Sequence, residues 1–313
     1  MNCSMKRIVI LNPKSRHGAS RIAFDKMRPK LEDHLGLFDI YFTSAPKDCT
    51  RKVREILHKK EYDQILIAGG DGSVNEAVNG YFDNGHLIPT EIPLGVINLG
   101  TGGDFMKTLN KHSSHYMDAL KNNSFKLVDC GLTTLEHGKD PYYFINITSI
   151  GMGGDMNRQM KASSFQMGMA AYFYHTLSVL FKYTPAKCKI RIKQVDGTWQ
   201  ETEAEVVNFF VCNAGFSGGG MIWAPQANIE DGIFDIVLVS NIPKRKLISE
   251  SHKVYSGKIA HMTGVSEFKG VEVHVIPERT LSQEIDGEIR EMDFLQTHEF
   301  HFKLITKSIP MVM

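Results

Sequence analysis

Residues Gln64–Gly80 read QILIAGGDGSVNEAVNG, and this stretch decides the fold. Within Gln64–Ala68, the residues Ile65, Leu66, Ile67 and Ala68 form an unbroken apolar run, the pattern of a strand buried on both faces. The run passes straight into Gly69-Gly70-Asp71-Gly72-Ser73, and Val74–Phe82 then carries a helical pattern. Glycines after a buried strand let the backbone approach a ligand and turn its N–H groups toward phosphate oxygens. The helix that follows adds partial positive charge at its N-terminus. Asp71 alone conflicts with that reading, because a carboxylate repels phosphate. A shared Mg²⁺ removes the conflict, since one ion can bind carboxylate, water and phosphate together. The plainer reading of the same residues is a tight strand-to-helix turn with Asp71 as a cap.

Outward from this stretch, strands and helices alternate. Lys6–Leu11 reads as a strand ending in the loop Asn12–Ser20, followed by a helix with Ile22, Phe24, Met27 and Leu31 inward. Phe38–Thr43 is a second strand, Cys49–Lys60 a helix, and Pro93–Ile97 a strand that ends in Asn98–Asp104. The alternation predicts a parallel sheet covered on both faces, with ligands at the carboxyl ends of its strands, where both glycine-rich loops lie. From about residue 127 the texture changes to β-rich runs: Tyr142–Ser149, Lys187–Val195, Glu203–Cys212, Phe234–Ser240 and Val271–Pro277. Helical patterns remain only at about Ser163–Phe181 and Pro243–Lys258. The expected organisation is an α/β nucleotide domain over 1–126 and a β-rich, mainly antiparallel sandwich domain over 127–297. A last strand, about 298–313, can return to the first domain.

The 313 residues are 42% hydrophobic and 23% charged, which suits a globular chain. With 36 basic and 35 acidic side chains the net charge is +1, so no global field draws the chain to nucleic acid; contact with an anionic surface needs a local patch. Five scattered cysteines form no C-x-x-C pair and fit reduced thiols in a cytoplasmic compartment. The longest apolar-aromatic run, Met167–Phe181, is shorter than the ~20 residues of a spanning helix and is interrupted by His175, Thr176 and Ser178. Any membrane contact is therefore expected to be peripheral and transient.

The run Ala68–Gly80 resembles the signature of the diacylglycerol kinase catalytic-domain family of soluble bacterial lipid kinases, which is related to sphingosine and ceramide kinases. Ser73 stands where that family has Thr and keeps the hydroxyl. Asn75-Glu76 and Asn79-Gly80 continue the match beyond the Gly-Gly-Asp-Gly core shared with NAD kinases and phosphofructokinases. Further segments follow in the family's order. Asn12-Pro13-Lys14-Ser15 matches its opening nucleotide loop, with Arg16 in place of the following Gly. Thr43 matches a nucleotide-contacting Thr, and Leu99–Phe105 (LGTGGDF) matches Gly-Thr-x-Asn-Asp-Phe with Gly103 where Asn is usual. Asp231-Gly232-Ile233-Phe234-Asp235 matches a segment that holds a structural Mg²⁺ in some members, carrying over to Asp231 and the backbone of Asn228 and Ile233. Ile285-Asp286-Gly287-Glu288 matches the Leu-Asp-Gly-Glu motif of catalytic carboxylates.

The resemblance implies an ATP- and Mg²⁺-dependent kinase acting on a lipid hydroxyl, with diacylglycerol the favoured acceptor and phosphatidic acid the product. It assigns the nucleotide to Asn12, Pro13, Lys14, Ser15, Arg16, Thr43, Gly69, Gly70, Asp71, Gly72, Ser73, Asn75, Glu76, Gly100, Thr101 and Gly102. Asp71 and Asp104 would hold the catalytic Mg²⁺, and the active site would lie in the cleft between the two domains. Asp286 and Glu288 are two apart, so an extended segment points both to one face. Asp286 is favoured as base, with Glu288 the alternative; taken alone, Asp-Gly-Glu reads as a hairpin turn. Met152, Met156 and Met160, followed by Met167, Met169 and Tyr172–Tyr174, form a stripe suited to acyl chains or equally to core packing. Lysines and arginines over 158–193 suit either anionic headgroups or a solvated face. Open alternatives are a sphingoid-base or ceramide kinase, a dinucleotide kinase and a catalytically weak nucleotide-binding regulator; a homodimer stays open as well. Gly215-Phe216-Ser217-Gly218-Gly219 fits a nucleophile elbow but lacks a following helix pattern. His298 and His301, three apart in an expected strand, face opposite sides and share no metal.

Overall fold

The computed structural model describes residues 5–100, 102–112, 115–135, 139–156, 182–289 and 299–313. The chain forms two compact units, Met1–Cys130 with Ile305–Met313 and Gly131–Leu304, so it leaves the first unit once and comes back to it at the end.

The first unit is organised on β1 (Arg7–Leu11), β2 (Asp39–Phe42), β3 (Gln64–Gly69) and β4 (Leu94–Asn98). β1 pairs in parallel with β2 and β3, and β3 with β4, giving the order β2-β1-β3-β4. Met311 near the chain end pairs in parallel with Leu94. Every residue of β1 and β3 is buried, which is why both strands read as continuous apolar runs rather than as alternation. The helices α1 (Ala19–Leu35), α2 (Asp48–Lys59), α3 (Asp71–Gly80) and α4 (Asp104–His112) supply the crossovers. On α2, Cys49, Val53, Ile56 and Leu57 face inward at helical spacing, while Arg51, Lys52 and Lys59 pair with Glu55 on the other side. α3 packs against α2 so closely that a Cβ on Gly80 would lie 2.6 Å from Val53 Cβ and 2.9 Å from the Thr50 carbonyl oxygen. The strand order reverses direction between β1 and β3, the switch point where sheets of this kind open a ligand crevice.

The second unit carries antiparallel pairs. β5 (Phe125–Leu135) enters it and pairs with β6 (Lys139–Phe144). β7 (Ile147–Gly151), β8 (Ala186–Lys193), β9 (Trp199–Cys212), β10 (Phe234–Ser240), β11 (Val265–Gly270) and β12 (Glu272–Pro277) follow. The long β9 changes partners along its length: its first half pairs with β8, its second half with β7 on one edge and β10 on the other. This exchange lets one strand serve both layers of a sandwich. In β8 the alternation is strict, with Ala186, Cys188, Ile190 and Ile192 buried and Lys187, Lys189 and Arg191 exposed. The buried row joins Phe144, Phe209, Phe234, Val273, Val275, Phe300 and Phe302 in one core. β13 (Gln283–Ile285) and β14 (Glu288–Ile289) form a hairpin beside β7, and β15 (Phe300–Val312) pairs with β12.

Three expectations need correction. The helix read as Val74–Phe82 starts at Asp71, so the glycine motif itself forms the first turn. The run Tyr142–Ser149 is not one strand: it breaks between Phe144 and Ile147, for a reason given below. Pro243–Lys258 holds two short helices, Lys244–Glu250 and His252–Tyr255. The helix expected at Ser163–Phe181 and the stripe from Met160 through Tyr174 lie outside the described residues. Phe216–Ser217 forms a small hairpin with Met221–Ile222, with no helix behind Ser217.

Candidate active site

In the first unit, four candidate segments sit at the carboxyl ends of parallel strands: Asn12–Ser15 after β1, Thr43 after β2, Gly69–Ser73 after β3, and Gly100 with Gly102–Asp104 after β4. The loop after β1 is held by its own side chains. Asn12 Oδ1 accepts the Lys14 amide at 3.0 Å, and Ser15 Oγ donates to the Asn12 carbonyl at 2.9 Å. Arg16 continues this turn in the short 3-10 segment Ser15–Gly18, Pro13 precedes it, and the buried Thr43 donates its amide to Leu11 O.

The two glycine loops touch. A Cβ on Gly100 would lie 2.6 Å from Gly70 Cα, and one on Gly70 would meet Gly100 Cα at 3.2 Å. No side chain fits at Gly100, because the neighbour it would strike is backbone and cannot swing away. Gly69 is likewise covered by Ser73, whose Oγ would lie 2.5 Å from an added Cβ. Leu99 donates its amide to Gly69 O at 2.9 Å, which extends the β3–β4 register into the loops.

Asp71 ties this arrangement together. Its Oδ2 accepts the Asp104 amide at 3.1 Å and its Oδ1 the Phe105 amide at 3.0 Å, so it caps the start of α4. It is also the first residue of α3, with Gly70 at the N-cap. Two helix N-termini thus meet at one carboxylate, a position that favours negative charge. Asp104 is buried, and its Oδ1 binds Lys107 Nζ at 2.7 Å, while the same ammonium reaches Gly102 O at 3.1 Å. A Cβ on Gly102 would sit 3.2 Å from Asp71 Oδ2 and 3.6 Å from Asp104 Oδ2, so the missing side chain leaves a small alcove facing both carboxylates. Two carboxylates at one such alcove form an oxygen donor set that fits a hard divalent cation such as Mg²⁺.

Sequence reasoning missed two residues here. Lys107 stands three residues after Asp104 on α4, a spacing that could have flagged the pair. Asn98 accepts the Gly100 amide through Oδ1 at 3.0 Å, and a Cβ on Gly103 would overlap its Nδ2. The carboxamide absent at Gly103 is therefore present nearby on Asn98, and the φ of +57° at Gly103 is eased by glycine. Other parts of the motif bind protein. Glu76 Oε1 accepts the Lys47 amide at 3.1 Å at the start of α2, and Asn79 Nδ2 donates to Asn75 O at 2.9 Å. Cys49 lies behind the motif with its thiol pushed up by burial, which makes it packing rather than a nucleophile. Thr101 lies outside the described residues.

In the second unit, Asp286 and Gly287 are the central residues of the β13–β14 turn, with φ of +48° and +85°. The pair does not project from an extended segment onto one face, as the two-residue spacing suggested. Asp286 is buried and Glu288 exposed, because two successive positive φ values turn the chain between them. The Asp286 carboxylate accepts three backbone amides: Ile145 at 2.9 Å, and Asn146 and Ile147 at 3.0 Å each. These amides belong to the break between β6 and β7, which explains why Tyr142–Ser149 is not a single strand. Farther along, Asn228 Oδ1 accepts the Glu230 amide and Asp231 Oδ1 the Ile233 amide, both at 3.1 Å, which closes this loop by two local turns.

Residues 6–132 match the diacylglycerol kinase catalytic domain, and residues 146–295 match the YegS C-terminal NAD kinase beta sandwich-like domain. This pair of domains defines the class as lipid kinases, phosphotransferases that act on an alcohol group. A diacylglycerol kinase of Bacillus subtilis is 26% identical over 291 residues, covering 91% of this chain and 90% of the relative. The crystal structure of a putative diacylglycerol kinase from Bacillus anthracis superposes with a TM-score of 0.71 at 23% identity, covering 100% of this chain and 98% of that one. Yeast NADH kinase shares the fold at a TM-score of 0.52 and 11% identity, with 99% and 83% covered. The chain belongs to the diacylglycerol kinase catalytic-domain family.

Proposed function

We propose that this lipid kinase transfers the γ-phosphoryl group of ATP, with Mg²⁺, to the hydroxyl of a diacylglycerol-like lipid. The observation that carries the reading is the backbone contact between Gly70 and Gly100 with Asp71 beside it. Two loops with no side chains at their contact let a polyphosphate approach their backbone closely, and a carboxylate stands ready for its counter-ion. Asp71 and Asp104 would hold that ion, which neutralises charge on the transferring group. Lys107, released from Asp104 or shared with it, adds a positive charge at the same place.

Phosphoryl transfer passes through a loose transition state, so positioning matters more than a strong base. Asp286 suits that demand. Its three amide partners fix the carboxylate in place, so it orients the lipid hydroxyl and takes its proton. Glu288, exposed on the turn, is the alternative acceptor. Asn228, Asp231 and Ile233 would hold a structural cation through one carboxylate and two carbonyls. Among the described residues no helix is long and apolar enough to cross a membrane, which agrees with a lipid reached from the membrane surface.

The test is ADP release by the full chain with Mg²⁺ and mixed vesicles carrying diacylglycerol, ceramide or sphingosine, with NAD as a soluble acceptor. Diacylglycerol-dependent turnover yielding phosphatidic acid is expected. Turnover with NAD but not with lipid overturns the reading, and ATP binding without turnover on any acceptor points to the regulator.

A further inference from the structure

The register of the second unit brings together four residues that the kinase reaction does not use. β12 and β15 pair with His274 opposite His301, and Arg191 of β8 lies opposite His274 on the other edge. Val273, Val275, Phe300 and Phe302 fill the core, so Glu272, His274 and His301 share the outward face. Glu299, two residues before His301, joins them. The two imidazoles stack with centroids 4.2 Å apart, and Trp199 meets His274 edge-on at 5.2 Å. Glu299 Oε1 lies 3.3 Å from His274 Nδ1 and 2.9 Å from His301 Nε2. One donor atom each from His274, Glu299 and His301 falls within 4.8 Å of the others.

Two features separate this cluster from an ordinary surface ion pair. His301 Nε2 is buried and makes no hydrogen bond, even at 2.9 Å from the carboxylate, because the oxygen is off the line of a ring N–H. A buried ring nitrogen without an aligned partner is open to a ligand atom that the protein does not supply. In addition, His274 Nε2 lies 3.1 Å from Glu272 Oε1. Nδ1 lies within hydrogen-bond distance of Glu299 Oε1 at 3.3 Å, so the ring stands between two carboxylates and in either neutral tautomer one of its nitrogens faces an oxygen with no proton between them. A cation between them removes the conflict. The carboxylate behind the ring is the outer partner that metal-bound imidazoles commonly have.

We propose that His274, Glu299 and His301 bind a divalent ion of the Zn²⁺ type, with Glu272 as the outer partner that orients His274. Two imidazoles and one carboxylate suit Zn²⁺ and exclude Mg²⁺, which prefers oxygen ligands. Bonds of about 2.0–2.2 Å place tetrahedral ligands roughly 3.3–3.6 Å apart; the His274–Glu299 spacing of 3.3 Å already suits this, and the His301–Glu299 spacing of 2.9 Å has to open slightly. The ion staples β12 to β15 and leaves a fourth position to water.

The test uses the tag-free full chain stripped with EDTA and titrated with Co²⁺, then Zn²⁺, with excess Mg²⁺ present. One equivalent of Co²⁺ giving the visible bands of a four- or five-coordinate site, displaced by Zn²⁺, is expected. His274→Gln and His301→Gln should each abolish those bands. Glu272→Gln, which removes no ligand, should weaken Zn²⁺ binding about 10–100-fold. Circular dichroism of each stripped variant checks its fold. Absence of stoichiometric uptake by the parent shows a protonated His–Glu ion-pair cluster and overturns the proposal, as does full-affinity binding by folded His301→Gln.

Discussion

Asp71→Asn separates two tasks of one carboxylate, the cap that the structure shows and the counter-charge proposed above. Asp71 holds two α4 amides, one on each oxygen, at 3.1 and 3.0 Å. An asparagine keeps one acceptor and presents an NH₂ group to the other amide, so one of those donors loses its partner. Loss of a cap costs about 0.5–2 kcal/mol, and a buried donor left unsatisfied about 1–3 kcal/mol. These figures describe overlapping effects, so a net loss of about 1–2 kcal/mol is expected. At roughly 2–4 °C per kcal/mol for a domain of this order of size, the midpoint falls by about 2–8 °C. The variant therefore folds but is measurably weaker, unlike a change in an unconstrained loop.

The second, proposed task is counter-charge for the phosphates. Removing one preorganised group from such a site costs about 10²–10³-fold in turnover. Initial rates should fall by at least that factor at a temperature well below the variant's midpoint. Nucleotide binding measured with and without Mg²⁺ isolates the cause: the parent should bind more tightly with the ion, and the variant should lose that difference. A variant as stable as the parent refutes the cap. A near-normal rate, or an unchanged Mg²⁺ effect on binding, refutes the metal role.

Three further outcomes are expected. Asp286→Ala leaves the amides of Ile145, Asn146 and Ile147 without their acceptor and should cost about 2–4 kcal/mol in chemical denaturation, whereas Glu288→Gln on the exposed arm should stay within about 0.5 kcal/mol. Asn98→Ala should raise the nucleotide KM, and adding Gly103→Asn should recover part of the loss, because asparagine tolerates positive φ and the first change clears the space it needs; kinetics on the single and double variants check this. Asp48 is held down to about 2, chiefly by the Ser44 amide and against the opposing effect of burial, with Arg51, the Ser44 hydroxyl and Tyr41 adding to it. Its folded value lies below its unfolded one, so its contribution is complete above about pH 4 and disappears as pH falls through about 2. The stability gap between parent and Asp48→Asn should accordingly close on acidification, as read from denaturant midpoints across that range.

The parallel sheet was legible because β1 and β3 are buried on both faces and their sequences show it without ambiguity. β8 was equally plain, since its lysines and arginine alternate with buried residues. What escaped were features set by partners distant in sequence. The break in Tyr142–Ser149 depends on Asp286, some 140 positions away, drawing three amides out of line. The pairing of His274 with His301 follows from strand register, and the local spacing of His298 and His301 concealed it. Gly103 looked like the loss of an amide because the substitute, Asn98, stands five residues earlier and reaches the same space only through the fold. The Asp-Gly-Glu turn shows a different limit: two-residue spacing gives a common face only while the backbone stays extended, and Asp-Gly is the dipeptide that most readily bends it.

Asp71 and Asp286 share a physical logic that bears on how mutants of such an enzyme are read. Each is a motif carboxylate given a chemical role in the proposal, and each accepts backbone amides in the structure. In the proposed reaction that arrangement would serve the carboxylates, because a group locked by amide donors needs no reorganisation when charge develops beside it. The same arrangement couples activity to local folding, so lost turnover at either position has two sources. Glu288 lies exposed, and a large rate loss in Glu288→Gln at unchanged stability would move the proton-accepting role to it. The converse pattern fixes the role on Asp286: a rate loss in Asp286→Asn far larger than its unfolding at the assay temperature explains, with Glu288→Gln close to the parent. Stability and rate measured on the same preparations thus assign the base, whereas rates alone leave both residues eligible.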